Sequence, residues 1–143
     1  MLAFLFLAVA PIATMLSASD PCPPRLTKAC ALVESIATEM TQSLAERELA
    51  VGEFHIESFK ASGPILRIVQ RTTYTESEFK TAFSTSGRSP GEYVGVLREV
   101  TLEINCLEPT REIIETGGSI DIKVLFKDGG VLHVQTISAC PPA

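Results

Sequence analysis

The sequence contains no tryptophan, one asparagine, two histidines and no charged side chain ahead of Asp20. Each scarcity closes off a class of chemistry. Asn105 is followed by Cys106 and Leu107, so there is no N-glycosylation acceptor. His55 and His133 fall at no ligand interval from the cysteines, and no CxxC spacing occurs, which argues against zinc. Lys and Arg number 12 against 17 Asp and Glu, and the net charge of -5 comes with no basic cluster. A phosphate backbone would be repelled rather than held, so nucleic acid is not an expected partner. The pairs Gly117-Gly118 and Gly129-Gly130 sit at turns, where positive φ is reason enough for glycine, and neither makes a phosphate-binding loop. From these residues no metal and no cofactor are expected.

What the chain does have begins with MLAFLFLAVAPIATMLSAS, an apolar stretch ending in small residues, which is the layout of a secretory signal peptide. Residues 1–19 read as that leader, and 20–143 as a single disulfide-stabilised α+β domain. The leader lacks the usual Lys or Arg at its front. It is short for a spanning helix, which needs about 20 apolar residues. Cys22, preceded by Ser19-Asp20-Pro21, makes no convincing lipidation site. The expectation is a periplasmic or secreted protein with no stable membrane insertion once the leader is cleaved.

Four cysteines behind an export signal read as two disulfides, and among the three connectivities the expected one joins Cys22 to Cys30 and Cys106 to Cys140. The second bond closes a loop of about 35 residues and contributes about 3–4 kcal/mol through the unfolded state.

The pattern of apolar residues predicts the elements. Leu32, Val33, Ile36, Met40 and Leu44 fall at helical spacing and predict a long helix from Thr27 to about Leu49. In FHIESFKASGPILRIVQR a loop at Ala61-Ser62-Gly63 predicts a hairpin with Phe54, Ile56, Ile68 and Gln70 on one face. The other face then pairs Glu57 with Arg67, Glu53 with Arg71 and His55 with Val69, and brings Phe59 beside Ile65 near the turn. A second hairpin, with its loop at Asp128-Gly129-Gly130, predicts Ile120, Ile122, Val124 and Phe126 beside Leu132, Val134 and Thr136, leaving His133 on the opposite, polar side.

Between the hairpins Thr75 and Glu78 form a capping box, Phe79 and Phe83 lie one turn apart, and Gly87 can close the helix. A second helix starts at Ser89, with Tyr93, Val96 or Leu97, Val100 and Ile104 as its inward stripe, although residues 93–106 also alternate like a strand. Thr110 to Thr116 make a further short helix stopped by Gly117. The fold expected is α+β: an antiparallel four-stranded sheet of two hairpins, a fifth strand left open, with the long N-terminal helix and two or three shorter helices on one face.

GRSPG, from Gly87 to Gly91, matches the G-x-S-x-G pattern of a serine hydrolase elbow. That elbow needs a strand before the serine and a backbone N–H on the residue after it. Here a helical pattern precedes Ser89, and the next residue is Pro90, which has no N–H. Ser89 therefore reads as an N-cap, with proline at the favoured first helical position.

With no convergent acid, base or metal group, the chain reads as a non-catalytic protein that binds another protein. Two such roles fit equally: an accessory factor for envelope secretion, and an immunity or inhibitor protein against a toxic enzyme. The candidate contact surface is the outer face of the first hairpin: Glu53, His55, Glu57, Phe59, Ile65, Arg67 and Arg71. Two alternatives remain open: a carrier enclosing a small apolar ligand between the long helix and the sheet, which the 6% aromatic content disfavours, and a small hydrolase using His55 and Glu57.

Overall fold

The computed structural model describes residues 21–142, so the expected leader lies outside the described residues. A 3-10 turn, Pro24–Leu26, leads into α1, Thr27–Glu46. Its inward line is Ala29, Val33, Ile36 and Ala37, with Leu32 and Met40 partly buried at the edge. The Cys22–Cys30 disulfide ties the proline-rich lead-in to the first turn of this helix. After β1, Ala50–Val51, come β2, Phe54–Ser62, and β3, Ile65–Thr72. Three helices follow: α2, Glu76–Ser86; α3, Pro90–Asn105; and α4, Thr110–Glu115. β4, Ser119–Leu125, and β5, Val131–Ile137, complete the order.

The helix boundaries follow from capping. Thr75 Oγ1 accepts from the Glu78 N–H at 3.1 Å while the Glu78 carboxylate accepts from the Thr75 N–H at 2.9 Å, so both arms of the expected box are closed. Gly87 ends α2 at φ 72°, a left-handed conformation that costs a residue with a Cβ but not glycine. Ser89 Oγ accepts from the Glu92 N–H at 3.2 Å and Pro90 opens α3. Residues 93–105 are helix, not strand.

Strand order is β1-β2-β3-β4-β5, four full strands with the two-residue β1 at one edge. The sheet is mixed, which corrects the antiparallel two-hairpin expectation. β2 and β3 pair antiparallel, as do β4 and β5, but β3 and β4 run parallel, with Ile65 opposite Ser119 and Arg71 opposite Leu125. The reason is the crossover: α2, α3 and α4 carry the chain from Thr72 back to the level of Ile65, so β4 starts where β3 starts. Gly118 lets this return pass close to the first hairpin, since a Cβ there would lie 2.6 Å from the Pro64 oxygen.

A tighter turn and two β-bulges correct the expected registers. In the first hairpin the turn is Gly63-Pro64, not Ala61-Ser62-Gly63, so Ser62 pairs with Ile65 and Phe59 with Ile68, and the register shifts again between Ile56 and Ser58. The extra residue turns Phe59 and Ala61 inward, where both pack against the core; only Ile65 of the expected outer pair stays outside. In the second hairpin the register shifts between Val124 and Leu125, so His133 pairs with Val124, and Gln135 with Ile122. One added residue exchanges the faces of a strand. His133 and Gln135 are therefore buried and Val134 is exposed.

The core lies between one sheet face and the helices. β4, an inner strand, contributes Ile120, Ile122 and Val124; Leu66, Ile68 and Ile137 flank it, and Val33, Ile36, Ile113 and Ile114 cover it from α1 and α4. Side chains of α1, α4 and the sheet thus share one packed cluster. The second disulfide, Cys106–Cys140, joins the end of α3 to the residues after β5, as expected.

Candidate functional site

Of the seven residues singled out from the sequence, His55, Ile65, Arg67 and Arg71 lie on the outer sheet face with Glu57 tied to Arg71, while Phe59 and Glu53 do not join them. Arg71 engages Glu57 through Nε and, at 3.3 Å, through Nη2, while its Nη1 donates to the Phe126 oxygen at 3.1 Å. The hydrogen bond to Glu57 raises the Arg71 pKa further above its already high value, so this guanidinium is a permanently charged tie between the two hairpins. His55 Nδ1 lies against the Glu48 carboxylate, not against Glu53 or Glu57. Glu53 turns away to a depression shared with Tyr74, Glu78 and Tyr93. Phe59 is inside. Arg67 and Ile65 share the outer face with Arg71 and Val69. Among the described residues no group of three or more His, Cys, Asp or Glu converges as a metal site would.

A different surface emerges from α2 and α3. Phe79 of α2 is the hub of an aromatic cluster: its ring lies 4.7 Å from Phe83, 5.4 Å from Tyr93, 5.4 Å from Phe126 and 5.9 Å from Tyr74, centroid to centroid. The Tyr74 and Tyr93 hydroxyls meet at 2.9 Å. Burial, and then this hydrogen bond, push the Tyr74 phenol well above its ordinary pKa, so it stays neutral. The cluster clamps the start of α3. Farther along, Gln135 Nε2 donates to the Arg98 oxygen at 3.1 Å, and Gln135 Oε1 faces His133 Nε2 at 2.9 Å. The disulfide at Cys106 holds the far end.

These three attachments hold α3 with part of its apolar surface inward, Leu97 buried and Leu102 packed against the core, and part of it outside. Leu97, Thr101 and Asn105 point inward; Asn105 closes its amide on the Thr101 oxygen at 2.9 Å. Val96, Val100 and Ile104 point outward with 59%, 43% and 42% of their surfaces exposed, and Leu107 continues the line at 64%. The sequence pattern predicts an inward stripe of Tyr93, Val96 or Leu97, Val100 and Ile104; Leu97 is inside, as that reading allows, while Val100 and Ile104 are outside. The polar pair Thr101 and Asn105, four residues apart and in line with Leu97, was the signal that the helix carries two different faces.

The outward stripe borders concave space on both sides. Between α3 and the sheet lies a groove of about 230 Å³, with Phe54 and Gln70 as floor, Val100 and Ile104 as wall, and Gly52 at the lip. Between α2 and the first turns of α3 a wider depression of about 720 Å³ is lined by Phe83, Ser86, Arg88, Glu92, Tyr93 and Val96. Ser89 stands at its edge as the helix cap, without a histidine near it. What this arrangement can do chemically is bury the apolar side of another chain.

The fold defined here, four helices with the first one long against a mixed sheet, is shared with solved structures at low sequence identity. The type II secretion system pilotin AspS from Vibrio cholerae superimposes with a TM-score of 0.58 at 16% identity over 80% of this chain and 92% of that one. The pilotin EpsS of the Vibrio vulnificus type 2 secretion system gives 0.55 at 17% identity, covering 81% and 98%. A protein from Pseudomonas aeruginosa described as secreted gives 0.59 at 12% identity, covering 83% and 96%. No family model and no curated protein matches the sequence. The likeness establishes the fold. Among the described residues no helix is long and apolar enough to cross a membrane.

Proposed function

We propose that this is an exported, non-catalytic accessory protein of an envelope secretion system, and that it works by binding a segment of another protein along α3. The observation that carries the proposal is the outward stripe of Val96, Val100, Ile104 and Leu107. A helix with an unused apolar face beside a groove has the shape of a peptide-docking site, in which an amphipathic segment lays its apolar side against the protein. The fold shared with two secretion pilotins supports the secretion role over an immunity role, because that fold occurs in proteins of the same broad task. The expected leader and the two disulfides support work outside the cytoplasm.

The test is a triple substitution, Val96→Ser, Val100→Ser and Ile104→Ser, introduced into the native host. Because all three side chains are already exposed, folding should be preserved; the unfolding midpoint of the purified variant checks this. Export through the host's secretion apparatus should fail. Normal export with a folded variant would refute the role.

A further inference from the structure

Resting on the reading of α3 as a docking helix, we infer that its occupant is a basic amphipathic helix, with Lys or Arg along one flank of its apolar face. The inference comes from what borders the stripe. With 3.6 residues per turn, Glu92, Glu99 and Glu103 fall in one arc immediately beside Val96 and Val100. All three are exposed, and none makes an ion pair among the described residues. Glu99 and Glu103 are four residues apart, a spacing at which two like charges weaken the helix that carries them.

The stripe thus has a groove floored by Phe54 and Gln70 on one side and a carboxylate ridge on the other. A helix lying along α3 would bury its apolar residues between the two, and its ridge-side residues would meet three carboxylates. Cations there gain attraction and steer the encounter; anions would be repelled. Arg88 stands beside Glu92 at the N-terminal end of α3, so the attraction is strongest toward the middle and C-terminal half. The same ridge disfavours a membrane as occupant, since anionic headgroups recruit basic rather than acidic amphipathic surfaces. The net charge of -5 points the same way.

The experiment uses three synthetic amphipathic helices with one shared apolar stripe and a flank of lysines, of glutamines or of glutamates, titrated against the disulfide-intact protein by fluorescence anisotropy. The lysine peptide should bind on the order of tenfold more tightly than the glutamate peptide at low salt, and the difference should shrink as salt rises. In the variant carrying Glu92→Gln, Glu99→Gln and Glu103→Gln the three peptides should bind alike; glutamine keeps the helix propensity and suits the third helical position of the cap. Equal binding of all three peptides to the unsubstituted protein would overturn the charge assignment while leaving α3 as an apolar docking site. No binding of any peptide would overturn the docking reading itself. Dimerisation through α3 in sedimentation, or retention of the protein on phosphatidylglycerol vesicles, would give the stripe to a second copy or to lipid and would likewise overturn the inference.

Discussion

Gln135 reaches from β5 to the middle of α3, where its Nε2 donates to the Arg98 oxygen at 3.1 Å. A carbonyl in a helix interior already accepts from its own helix, so this additional bond selects a rotation more than it completes a helix. Held this way, α3 turns Leu97, Thr101 and Asn105 to the sheet and leaves Val96, Val100 and Ile104 outside. A hydrogen bond and a disulfide thus help to hold the helix with these three apolar residues outside.

Replacing Gln135 with Leu removes that bond and leaves His133 Nε2 without its glutamine partner in a buried place. A stranded buried polar group costs about 1–3 kcal/mol. The denaturant midpoint should fall accordingly, and binding at α3 should weaken as the helix loses its fixed rotation. A wild-type midpoint would show that the bond contributes nothing.

The two disulfides should differ in weight. Loop-closure entropy assigns about 4 kcal/mol to a loop of the length that Cys106–Cys140 closes and about 2.5 kcal/mol to the short Cys22–Cys30 loop. The sequence separations are 34 and 8. Paired Cys→Ser variants compared by urea unfolding should show the larger loss for the Cys106–Cys140 pair.

Tyr74 should give the protein a weak point in alkali. Its phenol is raised by burial in the folded state, whereas in the unfolded chain it ionises near about 10. A raised folded value means that the contribution to stability is intact below the unfolded pKa and is lost as pH climbs through and beyond it. Ultraviolet titration should therefore show one tyrosine resisting ionisation past the ordinary value, and Tyr74→Phe should abolish that resistant fraction and flatten the alkaline loss of stability. Two tyrosines titrating together at the ordinary pKa would contradict the burial.

Ser89→Ala should lower stability by about 1 kcal/mol, the usual cost of an N-cap, in thermal or urea unfolding. Ester hydrolysis should be no different between the two proteins. A specific loss of hydrolytic activity would restore the nucleophile reading of GRSPG.

Much of this architecture is legible from the chain because the signals are local. Thr75 with Glu78, Ser89 with Pro90, and Gly87 each announce a helix end within four residues, and the chain obeys them. The disulfide pairing follows from the placement of cysteines at element ends. The bulges at Glu57 and beside Val124 leave no such mark: one added residue in a strand changes no composition, yet it sends Phe59 inward and exchanges His133 with Val134. Strand direction was equally hidden, because it depends on how three helices retrace the length of β3. The candidate site was lost for a related reason. The hydrophobic pattern puts Val96 or Leu97, Val100 and Ile104 inside, while the contacts that leave Val100 and Ile104 outside come from Gln135 and Cys140, about 40 residues downstream.

The most direct measurement places a photoreactive side chain at Val100 in one protein and at Lys123, on the outer sheet face, in another, then irradiates the native host envelope. The Val100 protein should cross-link to one component of a secretion apparatus, through a segment bearing Lys or Arg beside its apolar residues, and the Lys123 protein should not. Cross-linking from Lys123 alone, or from neither position, would contradict the assignment of α3 as the binding helix.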